Sequence, residues 1–317
     1  MSRHVVFGTG QIGRLLTEQL VTDGAEVVAV NRTGAGRIEG ATIVGGDATD
    51  PAFTIDVCRG AQVVYFCLNA GSYERWAEEF PPLQRGVVAG AEAAGATLVV
   101  LENLYSYGPP QGRRLVETLP ANPTSAKAVT RAAMTDELLA AHAAGRVRVA
   151  IGRASDYFGP GATRSALGET VFGTARTGKR AQVMGDPDQP HSYSYTPDVA
   201  RALITLGSDP RALGEVWHLP VSGAPTTREV VRTVYGLAGH RPRLLAAGAT
   251  ILRLIGLFQP VMREYLHTLY QFTDPWVVDD TKFVTTLGQQ ATPLADALAA
   301  TSARYAATAP TTKEPVR

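Results

Sequence analysis

His4-Val5-Val6-Phe7-Gly8-Thr9-Gly10-Gln11-Ile12-Gly13 is the stretch whose reading decides the fold. His4 to Phe7 reads as a short buried strand, and Ile12, Leu15, Leu16 and Leu20 then recur at helical spacing. The glycines sit in the turn between them. Gly8 allows the tight turn, Gly10 lets a pyrophosphate approach the backbone, and Gly13 lets the helix pack close to the strand. A helix start also offers unpaired N–H groups and a partial positive charge to phosphates. Thr9, Gln11 and Ile12 therefore join the glycines as candidate contacts to a dinucleotide.

Working outward, Glu26-Val27-Val28-Ala29-Val30 reads as the next strand and runs into Asn31-Arg32-Thr33. An acidic residue here would hold the adenosine ribose 2′-hydroxyl of NAD. The chain offers Asn31 and Arg32 instead, and a planar guanidinium suits a 2′-phosphate. The expected cofactor is NADP(H). The plainer alternative is an ordinary solvated arginine in a turn.

Strands and helices then alternate. Ala41–Gly46, Gln62–Leu68, Thr97–Leu101 and Val147–Ile151 read as strands, and Pro51–Arg59, Glu74–Ala94 and Ser125–Ala143 as helices. Such alternation predicts an α/β fold, a doubly wound parallel sheet with helices on both faces. Ligands of such sheets bind beyond the carboxyl ends of the strands. That places Asp47 and Ala48, Leu68, Asn69 and Ala70, the segment 102–108, and Ala154 and Ser155 on the ligand side. The rhythm changes near residue 160. The expected organisation is a nucleotide-binding domain over 1–160, a smaller substrate lobe over 161–305 with segments that could return to the sheet, and a loose tail over 306–317.

Composition narrows the function classes. Across 317 residues, 30 basic side chains face 29 acidic ones, so no net field recruits nucleic acid or an anionic membrane. Two cysteines, Cys58 and Cys67, make neither a disulfide scaffold nor a metal site. The start of the chain has no signal-peptide pattern, and the apolar stretch Ala249 to Phe258 is too short to span a bilayer. The expectation is a soluble, cytoplasmic protein with a small-molecule partner.

The motifs together resemble the extended short-chain dehydrogenase/reductase superfamily, the group of the NAD-dependent epimerases and dehydratases. The resemblance runs over nearly the whole chain: the glycine turn, Gly46-Asp47-Ala48-Thr49-Asp50, Tyr107-Gly108, Arg153 through Gly161, Val183-Met184-Gly185-Asp186, Tyr195 through Ala200, and Asp280-Thr281-Lys282. It implies a Rossmann-type sheet, a nicotinamide cofactor and, through the helices near 74–94 and 125–143, a homodimer.

The departures from that pattern shape the functional expectation. The family's catalytic Ser or Thr falls on Asn103, and its catalytic Tyr falls on Pro123, which has no proton to give. The family's Lys survives as Lys127. In the parent chemistry the Tyr hydroxyl is the acid, and the Lys lowers its pKa and holds the nicotinamide ribose. Tyr105 is the first choice for a replacement acid, because strand alternation would put it on one face with Asn103. Tyr107, Tyr157 and a bound water come next. The position that commonly carries a diphosphate-binding Arg is His191, a poor exchange for a bidentate cation, for which Arg164, Arg176 or Arg180 could compensate. Tyr107, Tyr157, Phe158, His191 and Tyr193 would line the substrate pocket. The expected function is an NADP(H)-dependent oxidoreductase of a small or medium organic metabolite. A redox-silent sensor or scaffold, and a cyclase, isomerase, lyase or sugar epimerase on the same fold, are the alternatives.

Overall fold

The computed structural model describes residues 1–71, 75–256 and 265–307. Its centre is a seven-stranded, all-parallel sheet. The strands are β1 (Arg3–Phe7), β2 (Glu26–Asn31), β3 (Thr42–Gly45), β4 (Val63–Phe66), β5 (Thr97–Glu102), β6 (Arg148–Arg153) and β10 (Val216–His218). They lie in the order β10-β6-β5-β4-β1-β2-β3, so the order reverses between β1 and β4. A crevice at such a reversal is where open α/β sheets take their ligands.

Each strand serves two cores because its side chains alternate. Val5 and Phe7 of β1 join one apolar cluster with residues of α2 (Pro51–Val57), α3 (Trp76–Ala94) and α4 (Ala126–Ala143). Val6 faces the other cluster, built with α1 (Gln11–Thr22) and α5 (Thr196–Ser208). The expected start of the third helix at Glu74 and residues 308–317 of the expected tail lie outside the described residues, whereas Ala306 and Ala307 end the helix Leu294–Ala307 rather than begin a loose tail.

A third cluster belongs to the lobe. Phe158, Phe172, Tyr193, Val231 and Tyr235 pack there around two small parallel sheets. These sheets are β7 (Asp156–Phe158) with β9 (Tyr193–Tyr195), and β8 (Ala181–Met184) with β11 (Leu244–Ala247). The chain then returns to the main sheet, where β10 pairs with β6 from Val216 to His218. No helix among the described residues is long and apolar enough to cross a membrane.

Candidate functional site

At the β1–α1 junction, two glycines are fixed by space alone. A Cβ on Gly8, whose φ is +106°, would lie 2.5 Å from the Cys67 carbonyl oxygen. One on Gly13 would lie 1.8 Å from the Gly8 carbonyl oxygen. Gly10 differs, because a Cβ there would meet nothing within 4 Å. It is the N-cap of α1, with no side chain capping the helix and no acidic residue in the first turn. The N–H groups of Gln11, Ile12 and Gly13, in the first turn, lack intrahelical partners. This arrangement fits a pyrophosphate on physical grounds.

The next loop is built around Asn31. Its Nδ2 donates to Thr9 Oγ1 at 3.1 Å, and its Oδ1 accepts from the N–H groups of Thr33 at 3.1 Å and Gly34 at 2.7 Å. This turn leaves Arg32 exposed beside the fingerprint, and no carboxylate occurs between Asn31 and Ile38. Arg14 adds a guanidinium that donates to the Arg37 carbonyl at 3.0 Å. After β3, Asp47 Oδ1 accepts from the N–H and hydroxyl of Thr49, which hold its carboxyl below the usual range. Ala48 is buried. Leu68 and Ala70 are half-buried after β4, with Asn69 exposed between them. Cys67 has its thiol pushed up to about 12 by burial, in keeping with an inert side chain.

Across the crevice, β5 ends at Glu102 and does not continue. Leu104 turns out of strand geometry at φ −99° and ψ 10°, and Tyr105–Tyr107 form a single 3₁₀ turn. The expected alternation of Asn103 with Tyr105 therefore fails. The cause is local: Asn103 Oδ1 accepts the Tyr105 N–H at 3.1 Å and folds the chain back on itself. Tyr105 is half-buried, with its ring stacked against Trp76 at 6.0 Å. Lys127 is buried, the second residue of α4, behind a Ser125 cap whose hydroxyl accepts the Ala128 N–H at 3.3 Å. Pro123 lies half-buried in the irregular segment before that cap.

Several other expected site residues are occupied by the fold. Tyr107 is buried, and its hydroxyl lies 2.8 Å from His218 Nε2. His218 Nδ1 donates to the Asp279 carbonyl at 3.0 Å, so Nε2 accepts and Tyr107 donates. Burial lowers His218 to about 4. Ser155 accepts the Trp276 indole N–H at 3.1 Å, and the Ser155 N–H donates to Ser194 Oγ at 2.9 Å. Ala154 packs in the core. Phe158 and Tyr193 lie in the lobe's apolar cluster, and the Tyr193 hydroxyl is 2.7 Å from Thr227 Oγ1. His191 is 2% exposed, with Nδ1 2.9 Å from the Gln271 carbonyl and Nε2 3.0 Å from Asp156. Tyr157 is half-buried and packs against the core on the α1–α5 side of the sheet.

The sequence profile of the NAD dependent epimerase/dehydratase family matches residues 5–219. The chain belongs to that family. A curated relative, UDP-glucose 4-epimerase from Streptomyces lividans, is 29% identical over 279 residues, covering 76% of this chain and 83% of that protein. UDP-N-acetylglucosamine 4-epimerase from Bacillus cereus superposes with a TM-score of 0.79 at 15% identity, over 98% of this chain and 99% of that one. The dTDP-glucose 4,6-dehydratase from Bacillus anthracis str. Ames, in complex with NAD, gives 0.79 at 16% identity over 96% of each. At those identities the likeness between structures is one of fold.

A buried polar cluster joins the ends of β5 and β6 to α4. Glu102 is 2% exposed and accepts from Arg153 Nε at 3.1 Å and from Thr135 Oγ1 at 2.9 and 3.0 Å. Arg153 lies 4.8 Å over the Tyr107 ring. Arg131, one helical turn past Lys127, lies 4.1 Å over Phe80 and is 5% exposed. Two signals pointed there: a glutamate ending the apolar run Thr97 to Leu101, and Arg131 four residues after Lys127.

Proposed function

We propose that this chain is an NADP(H)-dependent hydride-transfer enzyme acting on a small or medium metabolite at a carbinol or carbonyl carbon. The observation that carries the reading is Lys127, buried in the first turn of α4, where the resemblance puts the Lys that holds the nicotinamide ribose. A bound nicotinamide would supply the hydride chemistry. The chain would supply the rest. Backbone N–H groups at Gly10–Gly13 would hold the pyrophosphate, Arg32 the 2′-phosphate, and Lys127 the nicotinamide ribose. Asp47 and Ala48, with Leu68, Asn69 and Ala70, would flank the adenosine half. Asn103, whose Oδ1 is taken by the Tyr105 N–H, has Nδ2 to donate to a substrate carbonyl oxygen. Tyr105 would deliver the proton that Pro123 cannot.

The test is Tyr105→Phe against Lys127→Ala, with cofactor binding and turnover measured separately. Tyr105→Phe should slow turnover by about two to four decades with cofactor affinity intact. Lys127→Ala should harm both. Near-normal turnover in Tyr105→Phe places the acid elsewhere. NADPH binding with no turnover on any carbonyl substrate replaces the enzyme with a sensor.

A second reading, a nucleotide-sugar 4-epimerase, is favoured by the Streptomyces lividans relative. It requires a diphosphate clamp from Arg164, Arg176 or Arg180, since both nitrogens of His191 face protein acceptors. Conversion of UDP-glucose to its 4-epimer without net cofactor change would establish that reading in place of the first.

A further inference from the structure

Among the described residues, Arg131 is a buried cation without an anion of its own. Its Nε and Nη1 are buried and have no hydrogen-bond partner. Its guanidinium lies over the rings of Phe80, at 4.1 Å, and Trp76, at 5.5 Å. The carboxylate that acts on it is Glu102, and both Glu102 oxygens are already taken by Thr135 and Arg153. Two guanidinium groups therefore share one carboxylate. Burial lowers Arg131 to about 10, which leaves it cationic at neutral pH. A ring face compensates a buried charge far less well than an ionic partner does.

The location says what the partner would be. Besides Glu102 and Arg153, Tyr105 and Tyr157 act electrostatically on Arg131. These follow β5 and β6, at the carboxyl ends where ligands of this fold bind. We propose that Arg131 anchors a carboxylate of the substrate, so that the metabolite is an oxo or hydroxy acid. A planar fork between flat aromatic neighbours suits a planar carboxylate. The proposal rests on the pocket assigned above, but its readout is binding, which needs no turnover.

The probes are pyruvate, 2-oxobutyrate and phenylpyruvate, each with its methyl ester, added to the full chain with saturating NADP⁺. Trp76 touches Arg131 and is one of three tryptophans, so its fluorescence reports the site, with Trp76→Phe as the control. At least one acid should quench that signal saturably and raise the melting temperature, while its ester does neither. Arg131→Met should weaken the response at least tenfold and melt no lower than the wild type without ligand, since it removes an uncompensated charge. Arg131→Lys keeps the charge without the fork and should also bind at least tenfold more weakly. Acid and ester acting alike, no acid acting at all, or a response kept within threefold in either variant would overturn the proposal. So would an Arg131→Met chain that melts well below the wild type, which would make Arg131 a structural residue. If acids bind through Arg131 and no carbonyl compound is ever turned over, the hydride-transfer reading fails alone.

Discussion

At the β1–α1 junction the ligand side is made of backbone, with N–H groups at a helix start and glycines that keep side chains away. Across the crevice, the wall between β5 and α4 is made of side chains that titrate, donate and stack, drawn from elements far apart in the chain. A cradle of backbone tolerates almost no change and offers one function. A wall of side chains can be rebuilt around a new substrate while the sheet beneath it stays the same. The family's variation is therefore expected on the wall, and here Pro123, His191 and Arg131 all lie on that side or in the lobe above it.

The largest expected effect tests the cradle. Gly13→Ala forces a Cβ to 1.8 Å from the Gly8 carbonyl oxygen, a backbone atom that cannot rotate away. It should lower stability by about 3 kcal/mol or more. Gly10→Ala meets nothing within 4 Å, so it should cost under about 1 kcal/mol and yet weaken dinucleotide binding at least tenfold. Denaturant melts and cofactor titrations on both variants check this. Equal stability losses would erase the distinction between a glycine kept for packing and one kept for the ligand.

The wall should show itself through pH. His218 is buried and neutral, with its pKa lowered to about 4 from 6.5. As pH falls, the unfolded chain takes the proton first, so this contribution is intact above about 6.5 and drains away between 6.5 and 4. The loss amounts to roughly 3 kcal/mol at full titration. His218→Gln should melt with a shallower pH dependence across that window than the wild type. Parallel curves would mean that other groups carry the acid sensitivity.

Cofactor choice is the smallest of these effects. Arg32→Ala should weaken NADPH by about one to two decades, the worth of roughly 1.5–3 kcal/mol for a charge-assisted contact, and leave NADH little changed. Equal losses for both cofactors, or a wild-type preference for NADH, would remove Arg32 from the phosphate.

The cradle was legible in the sequence because a strand, a glycine turn and a helix lie next to one another in the chain, and their spacing is their mechanism. The sheet was legible for a related reason, since runs such as Val63–Phe66 are apolar at every position and can only be buried on both faces. The wall was not. A strand continued through Asn103 reads well as a pattern, and one side-chain hydrogen bond to Tyr105 ends it. Phe158 and Tyr193 read as pocket aromatics because composition alone does not reveal that the lobe needs a core of its own. Arg131 is hidden in a helix whose other residues look ordinary, and only the fold shows that its face is the buried one.

The return of the chain to add β10 bears on how the protein is made. Val216–His218 covers the outer edge of β6, and α5 covers the face shared by Leu16, Leu20 and Tyr65. A ribosome that has emitted the first 160 residues has released a sheet with one raw edge and one greasy face. Such a nascent chain must wait for α5 and β10 or be held by a chaperone. Synthesised alone, that fragment should aggregate where the full chain does not, as light scattering would record.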